Sequence, residues 1–588
     1  MPSPAQIAFK SINKPQIGTN NYQGFNPHTE ILKKGSRPYN ALALEGDIQI
    51  DHDVEFIVRD GCRLYADIYR PPHGGEKVPA IISWSPYGKK YSSKEMLPMV
   101  KWTVGIDLEK DISGLEKFEG LDPAIWVPKG FAIVSVDARG SGNSDGFVEV
   151  MGTQEAEDGY DVVKLLAKME WCNGSVGLAG NSYLAIVQWF IAAQQPPSLK
   201  AIAPWEGCGD IFREQFVRGG VFNISNFDLI TRFIIQGNHS VEDFAEMYRR
   251  SGGIANPYWE DKRPNMKNIN VPAYITASDS CSIHTMGSLR GFMEIDNPNK
   301  WLRWSAYQEW FDLYSVPENT VELISFFDRY LKGINNGWEK TPRFRASYLK
   351  FGDAAPIENI PEETFPIPRT DYKTFYLSSS TLSESPSPDS GIVTYDSEDN
   401  QAFAGFTYTL TKKTRLFGIP KAHLFMSSPS STDMIIYLLL RKLDKNGVPQ
   451  MSLNIPLFRA PVESISSIAL EDRTSSILHM GSLGILRASH RAIDREKSMH
   501  EQFPYHPHDK TELIEPGKIV ELEIGIWNLG WELEKGESIR LQVGGNDPQF
   551  VEYKSGAPPP PDVLPGNKGM HRIHFGGEYP SRVILPFV

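Results

Sequence analysis

Through the first half of the chain, short and predominantly apolar runs alternate with longer stretches in which apolar positions recur every three to four residues. The runs are residues 79–84, 131–136, 201–204 and 271–277. They are too short for buried helices and have no polar face, so they predict strands of a sheet covered on both sides. Between them, residues 155–170 carry helical spacing at Val162, Val163, Leu165 and Leu166. Residues 319–331 do the same at Val321, Leu323, Ile324, Phe327, Tyr330 and Leu331, and stop at Gly333, which reads as a closing helix with a glycine C-cap. The alternation predicts an α/β domain built on a mostly parallel sheet. Residues 210–265 interrupt it with aromatic and charged side chains and helical spacing at Phe227, Leu229, Ile230, Phe233 and Ile234. That segment predicts a helical cap between the two parts of the α/β domain, 46–209 and 266–341.

Past residue 342 the texture changes. Serine- and proline-rich stretches such as 378–390 separate alternating runs at 406–410, 435–440, 520–524 and 539–543. Turn signals every ten or so residues with short strands between them predict an all-β sandwich over 342–588. Residues 1–45 are polar and rich in Pro, Gly and Asn, and predict an arm wrapping the surface or a partner instead of a folded unit.

The chemistry concentrates at Gly180-Asn181-Ser182-Tyr183-Leu184-Ala185, between an apolar run that ends at Gly180 and an apolar stretch through Ala193. Strand, sharp turn and buried helix make a nucleophile elbow: the turn lifts the serine above the sheet, and the helix N-terminus turns backbone N–H groups toward a developing oxyanion. Ser182 is the candidate nucleophile. Leu184 stands where Gly-x-Ser-x-Gly has its second glycine, so the motif alone also fits a serine in an ordinary strand-to-helix turn. With the loop at residues 137–146 following the buried run 131–136, the pattern predicts an α/β-hydrolase fold.

Arg59-Asp60-Gly61-Cys62-Arg63-Leu64-Tyr65-Ala66-Asp67, Ser85-Pro86-Tyr87-Gly88-Lys89, the 137–146 loop and the Ser182 elbow together resemble the cocaine-esterase and X-Pro dipeptidyl-peptidase family of serine hydrolases. The resemblance runs from about residue 53 to the C-terminus. It implies a jelly-roll C-terminal domain, with 486–491 and 504–507 contacting the catalytic domain. It also implies an oxyanion hole formed by the Tyr87 hydroxyl and the backbone N–H of Tyr183.

The rest of the triad departs from the family's pattern. The acid position falls on Cys281, with Asp279 two residues early, and the histidine position falls on Glu309; no histidine occurs between His284 and His423. A serine hydroxyl needs an adjacent base, itself oriented by a third group. Three routes supply one: His284 from the acid loop, Glu309 as a buried carboxylate base, or a histidine from the C-terminal region such as His506 or His508. The aromatics Trp205, Phe212, Phe216, Tyr307 and Trp310 predict an apolar pocket sized for a small organic molecule.

Composition narrows the function classes. A chain of 588 residues with a net charge of −12 predicts a large multidomain enzyme with a small-molecule substrate and no nucleic-acid partner. Neither a phosphate-binding loop nor zinc-ligand spacing is present, which predicts no cofactor and no metal. The four cysteines at 62, 172, 208 and 281 are scattered, as for reduced thiols. No signal or membrane-length apolar run occurs, which predicts a cytoplasmic protein with no membrane partner and leaves room for a homo-oligomer. Three readings of function stand at this point. One is an esterase or amidase working through Ser182. The second is a non-hydrolytic enzyme reusing the pocket in specialised metabolism, as an isomerase, cyclase or C–C lyase with Glu309, Asp279 and His284 moving protons. The third is an inactive binding protein.

Overall fold

An eleven-stranded mixed sheet forms the centre of the hydrolase domain. The computed structural model describes residues 7–72, 76–281, 283–548 and 566–588. From edge to edge the strands run Ile357–Glu362, Phe344–Tyr348, Lys300–Ser305, Ala273–Ser278, Leu199–Trp205, Cys172–Asn181, Val78–Ser85, Ala132–Asp137, Arg63–Arg70, Ile48–Ile57 and His28–Leu32. From Phe344–Tyr348 to Ala132–Asp137 every pairing is parallel, and the outer strands on both sides are antiparallel. The unbroken apolar runs are the parallel strands, and Ala132–Asp137 is buried at every residue, because helices cover both faces.

Helices Thr153–Leu166 and Tyr183–Ala193 pack against each other, and Pro317–Leu331 lies on Leu199–Trp205 and Cys172–Asn181. The cap carries Ile211–Phe216, Ser225–Phe233, Phe244–Arg250 and Pro257–Asp261, folded around a cluster of Phe216, Phe227, Phe244 and Trp259.

Two sequence-based boundaries move. The hydrolase sheet does not end at 342, because Phe344–Tyr348 pairs in parallel with Lys300–Ser305 and Ile357–Glu362 continues the sheet. The composition changes before the topology does. Within residues 1–45, His28–Leu32 forms the sheet's far edge and Phe9–Ser11 pairs with Ser240–Glu242 of the cap. Backbone pairing at an edge needs no apolar face, and His28–Leu32 is exposed at four of its five positions, so no hydrophobic pattern announced it.

Most of the remaining strands among the described residues form a sandwich with a nine-stranded and a four-stranded sheet, around a core that includes Phe375, Leu424, Leu438, Trp531 and Leu541. The architecture is an α/β-hydrolase fold with a helical cap and an all-β, jelly-roll C-terminal domain. The segments around 487 and 507 meet the cap: Arg487 N donates to Gly219 O at 2.7 Å, and Arg213 donates to Pro507 O at 2.8 Å.

Candidate active site

Ser182 sits between strand Cys172–Asn181 and helix Tyr183–Ala193 with φ +52 and ψ −121, a conformation that costs a non-glycine residue about 1–3 kcal/mol. The surroundings hold it there. Ser182 N donates to Glu206 O at 3.0 Å, Asn181 N to Glu119 O at 2.9 Å, and Ala185 and Ile186 N donate to Ser182 O at 2.9 and 2.8 Å. Gly180 makes the turn feasible. Its φ is +139, and a Cβ there would lie 2.6 Å from Glu119 O and 2.7 Å from Leu184 Cβ. The space that Gly180 leaves is what accommodates Leu184 in place of the motif's second glycine.

His284 comes to the serine. It follows strand Ala273–Ser278 at the N-cap of helix Thr285–Glu294, and its Nε2 lies 3.0 Å from Ser182 Oγ. The ring is 2% exposed, and burial pushes its pKa down to about 3, so it is neutral at any working pH. Its Nδ1 is buried with no hydrogen-bond partner among the described residues. Glu309 opens helix Glu309–Tyr314 after strand Lys300–Ser305. A Glu309 carboxylate oxygen, Cys281 Sγ and a His284 ring nitrogen all lie within 4.8 Å of one another. Burial raises the Glu309 carboxyl to about 7.

The same cavity, about 180 Å³ in volume, is lined by Tyr87, Ser182, Cys281, His284 and Glu309, with Phe118, Phe216, Leu229, Ile230 and Trp310 supplying apolar wall. Tyr87 is buried, its ring meets that of Tyr183 edge-on at 5.6 Å, and its hydroxyl faces Ser182 and Glu119. The Tyr183 side chain points away from the cavity and donates to Glu155, leaving only its amide at the elbow.

Several residues singled out in the sequence lie elsewhere. Asp279 belongs to the domain interface: its carboxylate accepts from Trp304 Nε1 at 2.8 Å, and from Gly530 N and Trp531 Nε1 at 3.2 Å each. Two residues before the acid position, its side chain leaves the strand end toward the sandwich. Trp205, Phe212 and Tyr307 do not line the cavity. Trp205 is packed under Arg303, Phe212 packs at a tilt against Trp259 inside the cap, and the Tyr307 hydroxyl donates to Glu358. His506 is held by the carbonyls of Ala492 and Glu523, and His508 pairs with His490, both in a separate cavity.

The sequence reading missed two buried carboxyls. Glu119, at φ +71, accepts from Trp310 Nε1 at 3.1 Å, and its carboxyl faces Ser182 and the Tyr183 amide. Glu206, at φ +62, follows strand Leu199–Trp205 and faces Glu309. Burial and the neighbouring Glu309 charge push both well above the carboxylate range. Glu206's place at the C-terminal end of a parallel strand was a readable signal, because sites gather there. Glu119 had none, since Phe118-Glu119-Gly120 matches no motif.

Comparison with known proteins gives this geometry its context. The pattern of the X-Pro dipeptidyl-peptidase (S15 family) matches residues 60–250, which contain Tyr87 and Ser182, and that of the X-Pro dipeptidyl-peptidase C-terminal non-catalytic domain matches residues 336–584. Cocaine esterase of a Rhodococcus species is 22% identical over 633 residues, covering 93% of this chain and all of that protein. The crystal structure of a CocE/NonD family hydrolase from Staphylococcus aureus superposes with a TM-score of 0.83 at 29% identity, covering 98% of this chain and 100% of the other. The chain belongs to the cocaine-esterase and X-Pro dipeptidyl-peptidase family. It is a hydrolase-fold enzyme of the serine esterase and peptidase type. An Xaa-Pro dipeptidyl-peptidase of Lactobacillus helveticus is a more distant relative, 25% identical over 245 residues, 34% of this chain and 30% of that one. No helix among the described residues is long and apolar enough to cross a membrane.

Proposed function

We propose that this enzyme hydrolyses an ester or amide of a small organic molecule through an acyl-enzyme on Ser182, with His284 as base and Glu309 as the carboxylate that orients and balances it. The observation that carries this reading is the 3.0 Å contact between His284 Nε2 and Ser182 Oγ. Neutral His284 takes the serine proton as the oxygen attacks the substrate carbonyl. The oxyanion forms toward the Tyr87 hydroxyl and the Tyr183 amide, and His284 then passes the proton to the leaving group. Water repeats the sequence on the acyl-enzyme. Relative to the family's arrangement, base and acid have exchanged loops: the histidine arises three residues after the acid position, and a glutamate occupies the histidine position. Glu309 lies within 4.8 Å of a His284 ring nitrogen, and apo catalytic contacts often tighten only when substrate is bound. The cavity's size and aromatic wall suit a small substrate and not a polymer.

Incubation with a fluorophosphonate probe tests the reading. The expected result is stoichiometric mass added at Ser182, lost in Ser182→Ala, and slowed about a thousandfold or more in His284→Ala. Absence of labelling in folded protein would remove hydrolysis and favour proton-transfer chemistry in the same pocket.

A further inference from the structure

Cys281 has no part in the acyl-transfer scheme, yet it occupies the acid position of the family and faces the base. Its thiol is 7% exposed and lines the cavity together with Ser182, His284 and Glu309. The three donors, Cys281 Sγ, one His284 ring nitrogen and one Glu309 carboxylate oxygen, lie within 4.8 Å of one another. Bound zinc holds sulfur at about 2.3 Å and nitrogen or oxygen at about 2.0–2.2 Å, so a small contraction brings all three onto one ion. A second observation points inward as well: His284 Nδ1 is buried and has no partner among the described residues, although a buried ring nitrogen ordinarily has one. Mixed thiolate, imidazole and carboxylate donors suit zinc and its neighbours better than magnesium or calcium, which prefer oxygen alone. The cavity gives the ion a route in and leaves its fourth position to solvent.

We propose that Cys281, His284 and Glu309 form a binding site for zinc or a similar borderline transition-metal ion, and that occupancy switches the serine off. The first half of the proposal stands on the donor set alone, and the second rests on the hydrolase reading above. The reason for inhibition does not depend on which ring nitrogen the metal takes. Neutral imidazole has one acceptor nitrogen and one N–H. Once the metal holds the acceptor, the remaining nitrogen carries the proton and cannot accept another from Ser182. Binding releases the thiol proton to solvent and uses the carboxylate that the imidazolium would otherwise face.

The test uses the full chain, freed of metal by chelation and titrated with cobalt(II) and zinc(II). Cobalt is expected to give a thiolate-to-metal charge-transfer band and the visible bands of a four-coordinate site at one equivalent. In Cys281→Ser the charge-transfer band should vanish. Zinc should displace cobalt from the wild type and stop ester hydrolysis at one equivalent, with recovery on adding chelator. Measured against its own metal-free turnover, Cys281→Ser should need about tenfold more zinc or higher for half-inhibition, since even outer-shell changes at metal sites cost about 10- to 100-fold in affinity. No thiolate band in the wild type overturns the site. A thiolate band with turnover unaffected by zinc, or equal zinc sensitivity in wild type and Cys281→Ser, overturns the switch. Because the cobalt spectrum needs no substrate, a protein that binds cobalt but neither hydrolyses esters nor reacts with fluorophosphonate would retain the site and lose the hydrolase reading.

Discussion

Two glutamates in one cavity separate charge from shape at the scale of single residues. Glu309 titrates near 7 and must be ionised to balance a His284 imidazolium, so kcat/KM should rise with pH through about 7 as the carboxyl loses its proton. His284, held neutral down to about 3, adds no limb of its own in that range. Glu309→Gln should lower kcat by about a hundredfold or more and flatten the rise. Glu119 is held protonated by burial, so Glu119→Gln replaces one neutral group with another of the same shape and should leave turnover within about threefold. Steady-state pH profiles of the two variants check both outcomes, and an equal loss in both would deny Glu309 its charged role. That Ser182 and Tyr87 would line one cavity was legible because each sits in a short motif at a strand end. His284 was named as one of three candidate bases, but choosing it required knowing which loop folds over the serine. Asp279 looked chemical and lies at the domain interface: its partners Gly530 and Trp531 are about 250 positions away, a separation across which sequence carries no pairing signal.

At the scale of the element, the elbow depends on a missing side chain. Glu119 O and Leu184 Cβ occupy the space where a Cβ on Gly180 would go, and the residue's φ of +139 is one that L side chains rarely adopt. Gly180→Ala should therefore cost about 3 kcal/mol or more and displace both Ser182 and the Glu119 loop. Denaturant unfolding and probe labelling measured on the same preparation would show stability and reactivity falling together. The strands and helices of the elbow region were readable from unbroken apolar runs, because a doubly covered sheet leaves no alternation to blur them. The edge strand His28–Leu32 was not readable, because backbone hydrogen bonds bind it and those do not depend on side-chain type.

For the whole molecule, the sandwich is part of the candidate site's architecture. Ser475 and Ser476 line the cavity that holds Ser182 and His284, and Gln308 N, beside Glu309, donates to Asn454 O at 2.7 Å. The Asp279 carboxylate joins the two domains by accepting Trp304 from one and Gly530 with Trp531 from the other. Asp279→Asn replaces one acceptor oxygen with a donor facing N–H groups. It should lower stability by about 1–3 kcal/mol while Ser182 in the folded fraction still reacts with the probe. Thermal unfolding alongside labelling distinguishes this from a catalytic loss, since a variant of native stability that failed to label would return Asp279 to the chemistry. The two-domain division was visible in the change of texture near 342, but the sheet's last two strands lie beyond it because chain composition and sheet membership need not change together.

The placement of His284 bears on how lineages of such enzymes are counted. A survey that placed the base by counting along the sequence would arrive at Glu309 and enrol the chain among the pseudoenzymes. Proximity in space tells a different story, because an imidazole from another loop stands 3.0 Å from the serine. Inventories of extinct activity in this family would therefore be sounder if they scored the neighbourhood of the serine, and the same three-dimensional filter would retrieve other chains whose serine meets an imidazole from an unexpected loop.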